Sequence, residues 1–107
     1  MKPEKIDLKS NQKKYLRGLA HKLKPVIQIG QNGISDTVIK AIVEALNHHE
    51  LIKVKFIEDK AKELKQQMAT QLMDECTGTH LAGMIGHTAI FYKESDDPDK
   101  RKIILPP

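Results

Sequence analysis

Tryptophan is missing from this 107-residue chain, and cysteine occurs once, at Cys76. A single thiol cannot close an internal disulfide or build a cysteine-rich zinc site, so a reducing compartment is the expected setting. Long apolar runs are also lacking. None approaches the roughly 18–20 residues needed to span a bilayer, and the first residues form no apolar stretch of the signal-peptide kind. Membrane insertion and secretion are not expected, which leaves the cytoplasm. Aromatic residues are limited to Tyr15, Phe56, Phe91 and Tyr92. With Tyr15 and Phe56 assigned to the core, the chain has no exposed stacking platform of the kind single-strand binders use.

What remains is enough for one core. Apolar residues make up 39% of the chain and charged residues 30%, a balance that supports a single compact domain and leaves no room for a second core. The formal charge of +4, from 18 Lys and Arg against 14 Asp and Glu, is too small to name a partner. Its distribution says more. Residues 1–24 hold eight cations and two anions, a net +6; residues 25–57 sum to 0, residues 58–80 to −2 and residues 81–107 to 0. The basic character belongs to the first segment.

Hydrophobic spacing lays out the elements. Ser10 can cap a helix to about Leu23, ended by the bias that Pro25 places on Lys24. On that helix Tyr15, Leu16, Leu19, Ala20 and Leu23 share an apolar arc, and Lys13, Lys14, Arg17 and His21 share the opposing one. Val26–Ile29 reads as a buried strand, and Gly30-Gln31-Asn32-Gly33 as a turn. A helix capped by Ser35 then runs to about His48, with Asp36 at its positive end. Residues 51–57 alternate, with Ile52, Val54 and Phe56 on one side and Lys53 and Lys55 on the other, so one face is covered and the other wet and basic. A third helix spans about Lys60 to Cys76, with Ala61, Leu64, Met68, Leu72 and Cys76 as its stripe and Gly78 as its C-terminal cap. Leu81–Ile85 and Thr88–Tyr92 read as strands joined at Gly86-His87. The tail from Glu94 is polar; its Ile103-Ile104-Leu105 can dock or add an edge strand. The order α-β-α-β-α-β-β implies an α/β fold, a mixed four-stranded sheet with three packed helices.

Two glycines around two polar residues, between a strand end and a helix start, let backbone approach a partner, and the helix amides favour phosphate oxygens. Such turns also serve simply to reverse a chain. A nucleotide-binding phosphate loop needs Lys then Ser or Thr after its second glycine, where this chain has Ile34-Ser35, and the third glycine of a dinucleotide fingerprint is absent. His48 and His49 are adjacent and diverge, and His80 and His87 have no acidic or cysteine partner at ligand spacing, so no metal site is expected. Cys76, Met68, Met73 and Met84 read as core filling. Lys13, Lys14 and Arg17 have no acid at helical spacing, so the first helix presents an unneutralised cationic face able to attract phosphates.

The residues Gln12-Lys13-Lys14-Tyr15-Leu16-Arg17-Gly18-Leu19-Ala20-His21, Leu23-Lys24-Pro25-Val26, Ile29-Gly30-Gln31-Asn32-Gly33, His49-Glu50-Leu51-Ile52-Lys53-Val54-Lys55 and Ile85-Gly86-His87-Thr88 together resemble the CRM (chloroplast RNA splicing and ribosome maturation) domain, in its stand-alone bacterial, YhbY-like form. The resemblance covers about residues 8–93, leaving 94–107 as a tail. It implies an RNA-binding α/β domain similar to the C-terminal domain of translation initiation factor three. It also implies a Gly-x-x-Gly loop set against an RNA backbone, and association with precursors of the large (50S) ribosomal subunit. By position the loop is Gly30, Gln31, Asn32 and Gly33, and the basic surface is Lys13, Lys14, Arg17, Lys22 and Lys24, extended by Lys53 and Lys55. Unlike many relatives, this chain has no cation inside the loop. The expectation is a monomeric, non-catalytic binder of structured ribosomal RNA that uses no cofactor, metal, membrane or small-molecule substrate. The competing expectation is a protein-interaction module whose tail or open sheet face docks on a ribosomal protein.

Overall fold

In the computed structural model, residues 8–30, 33–56, 62–76 and 78–107 are described. Their elements are α1 (Ser10–Ala20), β1 (Ile27–Ile29), α2 (Asp36–His49), β2 (Leu51–Phe56), α3 (Lys62–Glu75), β3 (His80–Ile85), β4 (Thr88–Tyr92) and a 3-10 turn at Pro98–Lys100. The expected order and number of elements are borne out. Ile57, Lys60 and Ala61, assigned from the sequence to β2 and α3, lie outside the described residues.

The strands form one mixed sheet in the order β1-β2-β4-β3. β1 runs parallel to β2, as a helical crossover through α2 requires, and β4 runs antiparallel to both of its neighbours, β2 and β3. Alternation along the strands divides the core between two faces. Ile52, Val54, Phe56, Ala89 and Phe91 meet Ile42 and Leu46 of α2 and Met68, Ala69 and Leu72 of α3 in the larger cluster. Leu51, Ile90 and Tyr92 point the other way and meet Leu16 and Ala20 of α1, with Ala82 completing the smaller cluster. Each fully buried side chain of the size of Phe56 or Phe91 contributes about 1.5–3 kcal/mol through removal of its apolar surface from water.

Four details differ from the sequence reading. First, α1 starts after an N-cap at Lys9 and ends at Ala20. Ser10 is already inside the first turn, and the exposed amide of Lys9 is satisfied by Gln12 Oε1 at 2.9 Å. Secondly, this shorter helix buries only Leu16 and Ala20; Tyr15 is 42% exposed, not core, and Leu19 and Leu23 are similarly open. Tyr15 lies one helical step, about 100°, from Leu16 and so misses the sheet. Thirdly, Gln28 and Val26 are exposed, so β1 is covered on the α2 side only. Fourthly, α3 is rotated relative to the expected stripe. Leu64 is 40% exposed and Lys65 only 5%, so the inward positions are Lys65, Met68, Ala69, Leu72 and Cys76.

The C-terminal tail docks rather than pairing as a strand. Ile103 and Leu105 pack against the smaller cluster, and Ile104 faces solvent. Its anchor is Glu50, the C-cap of α2, which is 2% exposed and has a positive φ of 59°. The Glu50 carboxylate accepts from the backbone amides of Ser95 (2.9 Å), Lys102 (2.6 Å) and Ile103 (3.4 Å). Asn11 and Gln12 of α1 complete the clasp by donating to the carbonyls of Pro107 and Pro106.

Candidate nucleic-acid interface

β2 carries the covered and wet faces that its alternation predicts. Lys53 and Lys55 stand half-buried on the α1 side of the sheet, while their neighbours Val54 and Phe56 are fully buried on the other. Since α1 packs only against the lower half of that side, at Leu51, Ala82, Ile90 and Tyr92, the half holding Lys55 is left uncovered. Lys53 Nζ reaches back to the Leu23 carbonyl at 3.0 Å, tying the connection after α1 to the sheet. Lys55 and Lys14 make no hydrogen bond or ion pair among the described residues.

The glycine turn lies at that same end. Ile29, the last residue of β1, is paired with Phe56, and Lys55 is opposite Thr88. Thr88 in turn is opposite Ile85. The Phe56 amide donates to the His87 carbonyl at 2.7 Å. Gly30, the end of β2 and the Gly86-His87 turn therefore form one rim. Gly33 donates to the Gly30 carbonyl at 3.0 Å and has φ +71°, a left-handed conformation that requires glycine there. Gln31 and Asn32, the two other loop residues expected to bind, lie outside the described residues. Ser35 caps α2 by accepting from the Val38 amide at 3.3 Å, and Asp36 occupies the first turn. The dipole end thus already has a carboxylate beside it, which weakens its pull on phosphate.

The cationic arc of α1 is split. Lys13 and Arg17 are half-buried along a groove of about 750 Å³ between α1 and α3, across β3. Arg17 Nη1 donates to the Ala82 carbonyl at 3.2 Å. Lys14 and His21 are exposed on the outer side of the helix, and Lys22 is exposed in the turn that follows. Lys24 borders a separate apolar hollow with Leu19, Leu23 and Val26. The structure therefore gathers Lys13, Arg17, Lys53 and Lys55 on one side of the sheet, and does not bring Lys22 and Lys24 into the groove.

Two groove residues escaped the sequence reading. Lys65 of α3 reaches the groove from inside, and its ammonium contacts His87 Nδ1. A lysine on an apolar stripe reads as a surface residue, and His87 reads as a turn residue; only the strand pairing brings them together. Among the described residues, no carboxylate lines the groove, and no group of three His, Cys, Asp or Glu side chains could hold a metal. Cys76 is buried, and that burial, with Glu75 nearby, pushes its thiol up from the ordinary value, as expected of a core cysteine and not of a nucleophile. No helix among the described residues is long and apolar enough to cross a membrane.

Known proteins resemble this chain in sequence and in fold. The chain is 40% identical over 99 residues to a Haemophilus influenzae protein named RNA-binding protein, covering 92% of this chain and 95% of that one. It is 39% identical to the Bacillus subtilis protein named probable RNA-binding protein YqeI, covering 92% and 99% of the two chains. The solution structure of SAV1595 from Staphylococcus aureus superposes with a TM-score of 0.75 at 37% identity, over 92% of this chain and 99% of that one. The family model for the CRS1/YhbY (CRM) domain matches residues 8–93, from the residue before the N-cap of α1 to the one after β4. On this sequence match and on the shared fold, the chain belongs to the CRS1/YhbY (CRM) domain family.

Proposed function

We propose that this protein is a non-catalytic RNA-binding protein of the cytoplasm that contacts structured ribosomal RNA and assists assembly of the large ribosomal subunit. The observation that carries the reading is that cations of α1 (Lys13, Arg17) and of β2 (Lys53, Lys55) lie on one side of a sheet whose β1 ends in the glycine turn. Cations carried on two elements can neutralise backbone phosphates, and that neutralisation releases counterions. Relatives named for RNA binding support the partner class. Ribosomal RNA in particular follows from the CRM resemblance, in which the bacterial form associates with large-subunit precursors. Backbone and shape contacts fit this surface better than base stacking, because Phe56, Phe91 and Tyr92 are buried and Tyr15 is the one aromatic side chain open to solvent.

The test is charge reversal on both elements at once. Lys14→Glu with Lys55→Glu removes no hydrogen bond within the described residues, so the fold should persist. Affinity for in-vitro-transcribed large-subunit ribosomal RNA should fall about tenfold or more near 0.1 M salt, and the log–log salt slope should flatten by about two. Wild-type affinity and slope in the folded variant would sink the assignment. Gly33→Asp should also weaken binding, since it places a charge and a Cβ at a left-handed position.

The protein-interaction alternative loses much of its basis in the tail. Ile103 and Leu105 are occupied within the domain, leaving Ile104 as the exposed apolar residue of that segment.

A further inference from the structure

We infer that the groove between α1 and α3, across the β3 edge, is a phosphate site that takes the backbone of an RNA strand bending around the edge of the sheet. The inference rests on the RNA-binding reading and adds to it a second contact area, built from Lys65, His87 and Gly83 as well as Lys13 and Arg17. The groove volume of about 750 Å³ lies within the range of sites that enclose a ligand.

Lys65 is 5% exposed, on a helix face whose other inward positions are Met68, Ala69, Leu72 and Cys76. Burying an ammonium is costly unless it is paired, and its contact among the described residues is His87 Nδ1, which supplies no negative charge. No carboxylate lines the groove among the described residues, so the described lining offers Lys65 no counter-charge. A phosphate oxygen entering the groove would supply one and would meet Lys13 and Arg17 on the opposite wall.

Arg17 is held both at its stem and at its head. Its stem lies flat on Gly83: a Cβ at that position would come within 2.8 Å of Arg17 Cδ and 3.3 Å of Cγ. The guanidinium is then pinned by its bond to the Ala82 carbonyl. One of its five N–H donors is spent there, and the rest remain for an anion. Gly83 is therefore a positioning residue for Arg17. This also argues against an added peptide strand on β3. The register shift between Leu81 and Gly83 breaks the edge, and Arg17 occupies an edge carbonyl that such a strand would need.

The groove is continuous with the rim at which the glycine turn begins. His87 belongs to the rim that includes Gly30, through Phe56 and its partner Ile29. A strand crossing the glycine turn thus reaches the groove without leaving the same end of the molecule.

Two variants of the full chain test this without touching the open sheet face. Lys65→Met keeps the stem and removes the buried charge; Gly83→Ala keeps every charge and displaces Arg17. Each should fold as wild type by circular dichroism and bind in-vitro-transcribed large-subunit ribosomal RNA about fivefold or more weakly. Lys65→Met should flatten the salt slope by about one, and Gly83→Ala should add nothing once Arg17→Ala is present. Titration with AMP, with inorganic phosphate and with RNA, followed by the Gly83, Gly86 and His87 amide signals, separates a phosphodiester backbone from a small free anion. Weak, unsaturated shifts with these small anions, beside saturating shifts with RNA, are expected. If both folded variants keep wild-type affinity while Lys14→Glu with Lys55→Glu loses it, RNA binding stands and the groove assignment falls. If RNA does not bind the wild type at all, or only the small anions saturate the groove, the RNA strand is the wrong ligand.

Discussion

Glu50 adopts φ 59°, a backbone conformation usually left to glycine at a helix end, and it buries a carboxylate. Both costs are offset by the three backbone amides it accepts, two of them 52 and 53 residues further along the chain. Glu50→Ala should cost about 2–4 kcal/mol, because it strands those donors while keeping the strained backbone. Hydrogen exchange at Ser95, Lys102 and Ile103 should accelerate well before the sheet opens; unchanged protection at those amides would show that the tail is held by Ile103 and Leu105 instead. Tyr92 makes a second prediction at this scale. Its phenol is pushed up from 10.0 to about 12, chiefly by burial, with Glu94 and Glu50 adding repulsion against an opposing Arg101. Its hydroxyl has no partner among the described residues. The folded state therefore favours the neutral phenol. The stability this confers is complete below pH 10, where the unfolded tyrosine is also protonated, and declines as the pH rises from 10 to 12. Tyr92→Phe should be as stable as wild type at pH 7 or slightly more so, and its alkaline decline should be shallower. An equally steep decline in the variant would place the titration elsewhere.

Among the elements, α3 has the buried stripe that the sequence hides. Leu72→Ala should cost about 2–5 kcal/mol, since Leu72 is fully buried against both strands and helices of the larger cluster. Leu64→Ala should cost well under half as much; equal losses in chemical denaturation would restore the stripe centred on Leu64. The reason for the error is physical. Periodicity treats Lys65 as polar and so turns the helix toward Leu64, but a long apolar stem lets a lysine take an inward position when its head reaches a cleft. α2 and β2 were legible because their patterns have one solution each: Ser35 is followed by Val38, Ile42 and Leu46 at helical spacing, and Lys53 and Lys55 interrupt Ile52, Val54 and Phe56 at strand spacing. The end of α1 was not, because Leu23 continues the apolar spacing past Ala20 although the helix stops there. Likewise the candidate cations Lys13, Arg17, Lys53 and Lys55 could be read from charge and alternation. Lys65 and Gly83 could not, since each acquires its role only from a residue distant in sequence: His87 for Lys65, Arg17 for Gly83.

At the scale of the molecule, a net charge of +4 conceals a polarised chain. α1, at the basic end, is set across the sheet on the side that carries the half-buried lysines of β2, and among the described residues of the acidic stretch 58–80 the groove is lined by Lys65, Gln66 and Thr70. Fold and charge point the same way in the proposed function: α2 and α3 close one face into a core, and among the described residues α1 covers only part of the other face, the face proposed to meet a phosphate backbone. The measurement that tests this most directly is ultraviolet crosslinking in living cells, followed by sequencing of the RNA attached to the protein. The account predicts reads concentrated on large-subunit ribosomal RNA, and their loss in the Lys14→Glu, Lys55→Glu variant. Reads spread evenly over all transcripts, or undiminished in that variant, would contradict it.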